Sequence, residues 1–320
     1  MLRSILIYLS KAAWARRLVT RWKIAWRVAS RFVAGEDPED AIRVIKELNA
    51  RGINGTLDHL GESVTNIAEA QQAAEEIIRI LDEIDRANVR SGVSIKLTQI
   101  GLALGEDICK ANLRRILQRA KDVNNFVRID MEDSPYTEVT LQLFREMLAE
   151  GFGDHVGIVI QAYLYRSEDD IRQLAEEKAR VRLCKGAYKE PISIAFPRKS
   201  DVDRNYDLLT DLLVIGAKKA GVPMLSECGR FPPLPAIATH DEKRIAHAKA
   251  VAHQVALPKE GLEFQMLYGI RRELQDALAA EGYPVRVYVP YGTEWYPYFV
   301  RRLAERPANL WFFVSNFFKK

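Results

Sequence analysis

The sequence predicts a single α/β domain, a TIM-type (β/α)8 barrel with an N-terminal helical arm and a C-terminal helix over the barrel mouth. Three observations lead there. Eight short runs rich in β-branched residues recur between residues 55 and 292. Charged stretches with helical periodicity separate them, and polar residues end otherwise apolar runs. Strand–helix alternation implies a parallel sheet, and eight units favour a closed barrel over an open sheet.

Residues 1–40 read as a basic amphipathic arm and its linker. Leu18, Trp22, Ala25, Ala29 and Phe32 recur at spacings of four and three, which puts them on one helix face. Arg17, Arg21, Lys23, Arg27 and Arg31 surround that face. Such a helix packs on the body or on another copy of the chain, and this is the preferred reading. The sharper one is a helix lying on an anionic membrane surface through residues 1–34. The segment 35–40 (GEDPED) breaks the pattern and links arm to body.

Residues 41–320 read as the barrel. The candidate strands are 55–60 (GTLDHL), 93–100 (VSIKLTQI), 126–131 (FVRIDM), 156–163 (VGIVIQAY), 181–188 (VRLCKGAY), 235–240 (PAIATH), 262–267 (LEFQML) and 285–292 (VRVYVPYG). Stretches between them, such as 68–87 and 136–150, have apolar residues at helical spacing. The sixth unit has two candidates, 222–227 (VPMLSE) and PAIATH; one is the strand and the other belongs to a loop.

Composition narrows the function. The chain has 320 residues, 48% hydrophobic and 28% charged, enough apolar material for one large core. Its net charge of +4 hides an asymmetry. Arg3, Lys11, Arg16, Arg17, Arg21, Lys23, Arg27 and Arg31 lie in residues 1–34 with no acid among them, so the remainder is slightly acidic. That does not suit nucleic-acid binding, which places its basic patch on the folded domain. Cys109, Cys184 and Cys228 are far apart and form no CxxC pair, which suggests a reducing, cytoplasmic compartment and no structural zinc. No apolar run approaches the roughly 20 residues of a membrane span, and no secretory signal is read.

In such barrels the chemistry sits at the C-terminal ends of the strands. Glu62 follows the first strand, Lys96 lies in the second and Asp130 near the end of the third. Gln161 is in the fourth, Arg182 and Lys185 in the fifth, Thr239 and His240 end the sixth, and Tyr288 is in the eighth. Any one could be a structural ion pair. Converging on one rim, they need ligands or mutual pairing, because a buried unpaired charge costs several kcal/mol.

In the stretch WYPYFVRRLAERP, Tyr298, Arg301, Arg302 and Glu305 fall at i, i+3, i+4 and i+7 and share a helix face. Glu305 can neutralise Arg301, which leaves Arg302 needing an anion; a substrate carboxylate suits forked guanidinium donors. A solvated ion-paired helix is the alternative, and the flanking Trp295, Tyr296, Tyr298 and Phe299 argue for a buried face. No GxGxxG, P-loop, HExxH or nucleophile-elbow motif is present, and no metal site is expected. A bound organic cofactor is then the natural source of reactivity.

The motifs VSIKLTQIG, RIDMEDSP, VIQAYLYR, VRLCKGAYKEP, ATH and YPYFVRRLAERP occur in one order over residues 55–307. In these the chain resembles the proline dehydrogenases of the short, monofunctional bacterial type, FAD-dependent enzymes that oxidise L-proline to Δ1-pyrroline-5-carboxylate. The resemblance implies hydride transfer from proline C5 to flavin N5, with electrons passing to a quinone. It implies that Lys96, Arg301 and Arg302 bind the carboxylate, that Tyr188, Tyr288 and Tyr298 wall the ring pocket with Asp130, and that Glu62 pairs with Arg301 as a gate. Arg182 would contact the flavin near N5 and Gln161 its ring system, with Asp130 and Arg182 the catalytic pair. Met131, Lys185, Gly186, Ala187, Thr239 and His240 match FAD-binding positions. Gly186 would let backbone approach the cofactor closely. A related imino acid such as hydroxyproline is the alternative substrate, disfavoured by the bulk of Tyr288. A homo-oligomer, contact of the arm with the inner face of the membrane, and coupling to a pyrroline-5-carboxylate dehydrogenase complete the expected partners. Two departures stand out: Cys184 replaces a frequent valine, and SECGRFPPLPA lengthens the link into ATH, which bears on the surroundings of Thr239 and His240.

Overall fold

The computed structural model describes residues 23–61, 64–221 and 224–305. Helix α1 (Lys23–Ala29) is the described end of the arm, and α2 (Pro38–Ala50) begins the body. Asp37 occupies the N-cap position of α2 and Pro38 its first turn, where the missing N–H costs nothing. Residues 30–37 between the two helices are non-helical, so the break begins before the expected linker 35–40 and ends inside it, where Pro38 starts a helix.

Strands β1 (Asn54–His59), β2 (Ser91–Ile95), β3 (Val127–Ile129), β4 (Val156–Gln161), β5 (Val181–Cys184), β6 (Pro235–Ala238), β7 (Glu263–Leu267) and β8 (Val285–Tyr291) pair in order, all parallel. β8 returns to β1 in a register from Asn54↔Arg286 to His59↔Tyr291, which closes the barrel. Between successive strands run α3 (Ile67–Arg86), α4 (Glu106–Asp122), α5 (Thr137–Met147), α6 (Ser167–Glu176), α7 (Lys199–Ala220), α8 (Glu242–Gln254) and α9 (Arg272–Ala280); α10 (Trp295–Glu305) follows β8. The helices bury apolar stripes against the outer faces of the strands. In α3, Ala70, Ala74, Ile77, Leu81 and Ile84 form that stripe, and Asn66 caps the helix by accepting from the Glu69 N–H.

The fold class is as expected, and the sixth strand is PAIA. Residues 224–227 belong to a loop instead. Several expected strands are too long: β2 stops before Lys96, β3 before Asp130 and β5 before Lys185, so these side chains stand on the loops just beyond the strand ends. Apolar runs continuing past a strand end obscure the boundary, since the loop residues Leu97 and Ile100 are themselves buried.

The added segment before β6 lies at the N-terminal end of the barrel, opposite the mouth. Arg230 donates to the Val123 carbonyl (3.1 Å) and to Asp85 (3.1 Å), and Phe231 packs edge-on against Phe126 and His155. These partners lie ahead of strands, as a connection into a strand's first residue requires. The insertion is therefore a floor, and β6 separates it from Thr239 and His240 at the other end of the strand. Above it Arg286 pairs with the fully buried Glu263 at 3.0 Å and donates to the Gly55 and Gly229 carbonyls.

The arm packs on α10. Trp26 meets Trp295 edge-on at 5.3 Å between ring centroids, Phe32 lies 6.4 Å from Phe299, and Trp295 Nε1 donates to Glu36 at 3.0 Å. Val28, Ala29 and Val33 are buried in the same cluster. The packing reading thus holds for the described end of the arm; Leu18 and Trp22 lie outside the described residues. Among the described residues no helix is long and apolar enough to cross a membrane.

Candidate active site

Period-two alternation decides which side chains enter the barrel. Asp58 of β1, Ser94 of β2 with Lys96 beyond it, Asp130 beyond β3, Arg182 of β5, Gln265 of β7 and Tyr288 of β8 meet inside, near the mouth. Asp130 is the hub. One of its oxygens accepts from Arg182 Nη1 at 2.8 Å; the other accepts from the Tyr288 hydroxyl at 2.8 Å and from Lys96 Nζ at 3.4 Å. Lys96 also donates to Asp58 at 3.0 Å and to the Tyr288 oxygen at 3.3 Å. Arg182 completes its set with Gln265 (2.5 Å) and Ser94 (3.0 Å), its guanidinium 5.4 Å from the centroid of the Tyr288 ring.

Two cations and two carboxylates thus neutralise one another, which is what permits their burial. Burial by itself pushes Lys96 toward the neutral amine, but Asp58 and Asp130 outweigh it and hold the ammonium above its ordinary value. Burial raises the Tyr288 phenol well above its ordinary value, and the Asp130 charge adds to this.

Across the mouth, α10 buries Trp295, Tyr296, Tyr298 and Phe299, as the aromatic flanks suggest. One turn on from these it carries Arg301, which is exposed, and the half-buried Arg302, whose guanidinium stacks 5.1 Å from the centroid of the Tyr298 ring. Arg301 is near enough to Tyr188 for its charge to act on that phenol, as do the charges of Glu132, Lys96 and Asp130. Glu62 and the side chain of Glu305 lie outside the described residues, and with them the expected pairing of Arg301.

Beyond β5, Gly186 has φ +106°, and a Cβ there would stand 2.3 Å from the Tyr163 ring. The close approach that requires glycine is to Tyr163, not only to a ligand. The Lys185 ammonium sits between Asp203 and Asp241 (2.9 Å to the latter), so it already has two counter-charges. The exposed Ala187 and Tyr188 follow on a loop that Glu190 ties down, accepting from Ser134 N (2.8 Å), Ser134 Oγ (2.6 Å) and the Tyr163 hydroxyl (3.4 Å). Thr239 Oγ1 accepts from the Asp241 N–H and His240 Nε2 from the Leu267 N–H, both at 3.1 Å. Gln161 donates to the Met131 carbonyl at 3.1 Å, while its buried Oε1 has no hydrogen-bond partner among the described residues. Among the described residues no group of three or more His, Cys, Asp or Glu side chains could hold a metal.

Asp58, Glu190 and the Asp203–Asp241 pair were not singled out from the sequence. Asp58 carries the same signal as the others, a polar residue at the end of an apolar strand. Glu190 and Asp203 lie outside any strand, and only the tertiary fold brings them in.

The fold and site together define an α/β-barrel enzyme that works at the C-terminal mouth of its strands. The chain belongs to the proline dehydrogenase family: residues 41–314 match the family model described as Proline dehydrogenase. It is 43% identical over 297 residues to proline dehydrogenase of Deinococcus radiodurans, covering 92% of this chain and 91% of that one. It is 42% identical over 323 residues to proline dehydrogenase 1 of Bacillus subtilis strain 168, covering all of both. Its fold matches the crystal structure of proline utilization A from Bdellovibrio bacteriovorus inactivated by N-propargylglycine, with TM-score 0.78 and 28% identity over 88% of this chain and 33% of that longer one. The protein is thus an oxidoreductase of proline catabolism in a flavin-dependent family of the monofunctional bacterial type. Nothing in these similarities supports the hydroxyproline alternative.

Proposed function

We propose that L-proline binds at the barrel mouth with its carboxylate on Arg301, Arg302 and Lys96, its ring among Tyr188, Tyr288 and Tyr298, and FAD beside Arg182 and Gln161. The observation that carries this is the neutral Lys96–Asp58–Asp130–Arg182 cluster. Beside it α10 brings the exposed Arg301, whose charge reaches Tyr188, and the half-buried Arg302, stacked on Tyr298, two forked donors suited to a carboxylate.

The residues present fit a flavin. Gln161 Oε1 is a buried acceptor without a partner among the described residues, which suits an N–H group of the ring system. Met131, Gly186, Ala187, Thr239 and His240 would line the cofactor with it. Lys185 would bring a phosphate no uncompensated charge, since Asp203 and Asp241 already balance it. When bound, FAD supplies the two-electron acceptor for the hydride leaving proline C5. The protein's part is positioning: fixed cations hold the carboxylate, and phenols exclude water around the ring. Asp130, engaged by Arg182, Tyr288 and Lys96, holds that frame and is not free to act as a base.

A quinone is the proposed electron acceptor, in keeping with a sequence that lacks a dinucleotide motif. The product suits a pyrroline-5-carboxylate dehydrogenase as the next enzyme. Glu62 as a gate, a homo-oligomer and peripheral membrane contact of a cytoplasmic enzyme through residues 1–34 remain parts of the same reading. The test is Arg302→Met. It should raise KM for proline by about ten- to a hundredfold with flavin content unchanged. Parental proline kinetics in that variant would remove Arg302 from the carboxylate site.

A further inference from the structure

We infer that Asp58 is a positioning residue for the proline site: it anchors the Lys96 ammonium from inside the barrel while the contacts of Lys96 toward Asp130 and Tyr288 yield to substrate. The inference rests on the reading of Lys96 as a carboxylate ligand. An ammonium has three N–H groups, and three acceptors take them here: Asp58 at 3.0 Å, Tyr288 at 3.3 Å and Asp130 at 3.4 Å. A carboxylate arriving at the mouth can gain an N–H only if one acceptor gives way.

The three are not equivalent. Asp130 keeps Arg182 on one oxygen and the Tyr288 hydroxyl on the other if Lys96 turns away. The Asp58 side chain is 2% exposed, and among the described residues its carboxylate has no other hydrogen-bond partner. Losing Lys96 would strand it as a buried, unpaired charge, the costliest of the three changes. Lys96 therefore pivots about Asp58. The groups facing its ammonium are Asp58 from β1, Asp130 and Glu132 from the segment after β3, Tyr188 from the loop after β5 and Tyr288 from β8. Among the acids, Asp58 makes the closest contact, so its removal leaves burial to discharge the amine at lower pH.

The experiment uses the full-length flavoprotein and compares kcat, KM and the pH profile of kcat/KM for Asp58→Asn, Lys96→Met and the double variant. Asp58→Asn should raise KM for L-proline about tenfold with a smaller change in kcat. It should also bring the alkaline decline of kcat/KM at least about one pH unit lower. In the Lys96→Met background it should add less than about twofold, because its effect passes through Lys96. Asp58→Glu, which keeps the charge, should keep the parental alkaline limb. Parental KM and pH profile in Asp58→Asn, or a full additive effect in the double variant, overturns the inference. Parental KM in Lys96→Met overturns instead the reading of Lys96 on which it rests. Should Asp58→Asn fail to fold, Asp58→Ser is carried through the same comparison.

Discussion

Arg182 of β5 and Asp130 beyond β3 meet at 2.8 Å inside the barrel, and through Asp130 the contact reaches Lys96 and Tyr288. One carboxylate thus orders groups from three other strands. Asp130→Ala should strand Arg182, whose side chain is 5% exposed, without its counter-ion. Breaking a buried pair in this way costs about 3–5 kcal/mol. The expected outcome is a lowered melting temperature and a fall in kcat/KM for proline of at least about a hundredfold, measured on protein that retains its fold at low temperature. A stable variant with near-parental kinetics would mean that the hub is dispensable.

The arm and the arginine-bearing helix share one core. Phe32 is buried against Phe299, one turn from Arg302 on α10. Phe32→Ala should cost about 3 kcal/mol in chemical denaturation, within the range for truncating a buried phenylalanine. It should also raise KM for proline more than it lowers kcat, since α10 loses its brace while the barrel interior is untouched. Loss of stability with KM unchanged would separate the arm from the site.

Lys185 gives a pH signature. Burial works against ionising Asp203 and Asp241, but hydrogen bonds from Lys185 outweigh it and hold both carboxyls below their ordinary value. A carboxyl lowered in the folded state adds stability above its unfolded pKa of about 4 and loses it as pH falls through the folded value. The groups are partly exposed, so Lys185→Met should cost only about 1 kcal/mol at pH 7 in urea unfolding. The difference should shrink steadily below about pH 4. A gap that widens on acidification would contradict the assignment.

Much of this is legible in the residues. Strand–helix alternation foretells the closed barrel, and the rule that polar residues end barrel strands picks out Lys96, Asp130, Arg182 and Tyr288, which meet inside it, whereas Gln161 donates to the Met131 carbonyl. The sixth strand was ambiguous because VPMLSE and PAIATH have similar apolar content; the choice lies in pairing, with Pro235 opposite Val181 at the start of the ladder. The effect of the insertion on His240 is open in the sequence, because sequence proximity hides that one strand separates opposite ends of the barrel. Local pattern also missed Glu190, whose partners Ser134 and Tyr163 come from other loops. The roles of Arg301 and Arg302 came from resemblance as much as from spacing, which alone also suits a surface ion pair.

The most direct test of proline oxidation at a flavin in this barrel is the visible absorption spectrum of the purified protein, recorded without oxygen before and after L-proline is added. The expected result is an oxidised-flavin spectrum that bleaches on addition of L-proline and returns when a quinone is supplied. A flavin spectrum that L-proline leaves unchanged, or protein that carries no flavin and takes up none, would contradict the account.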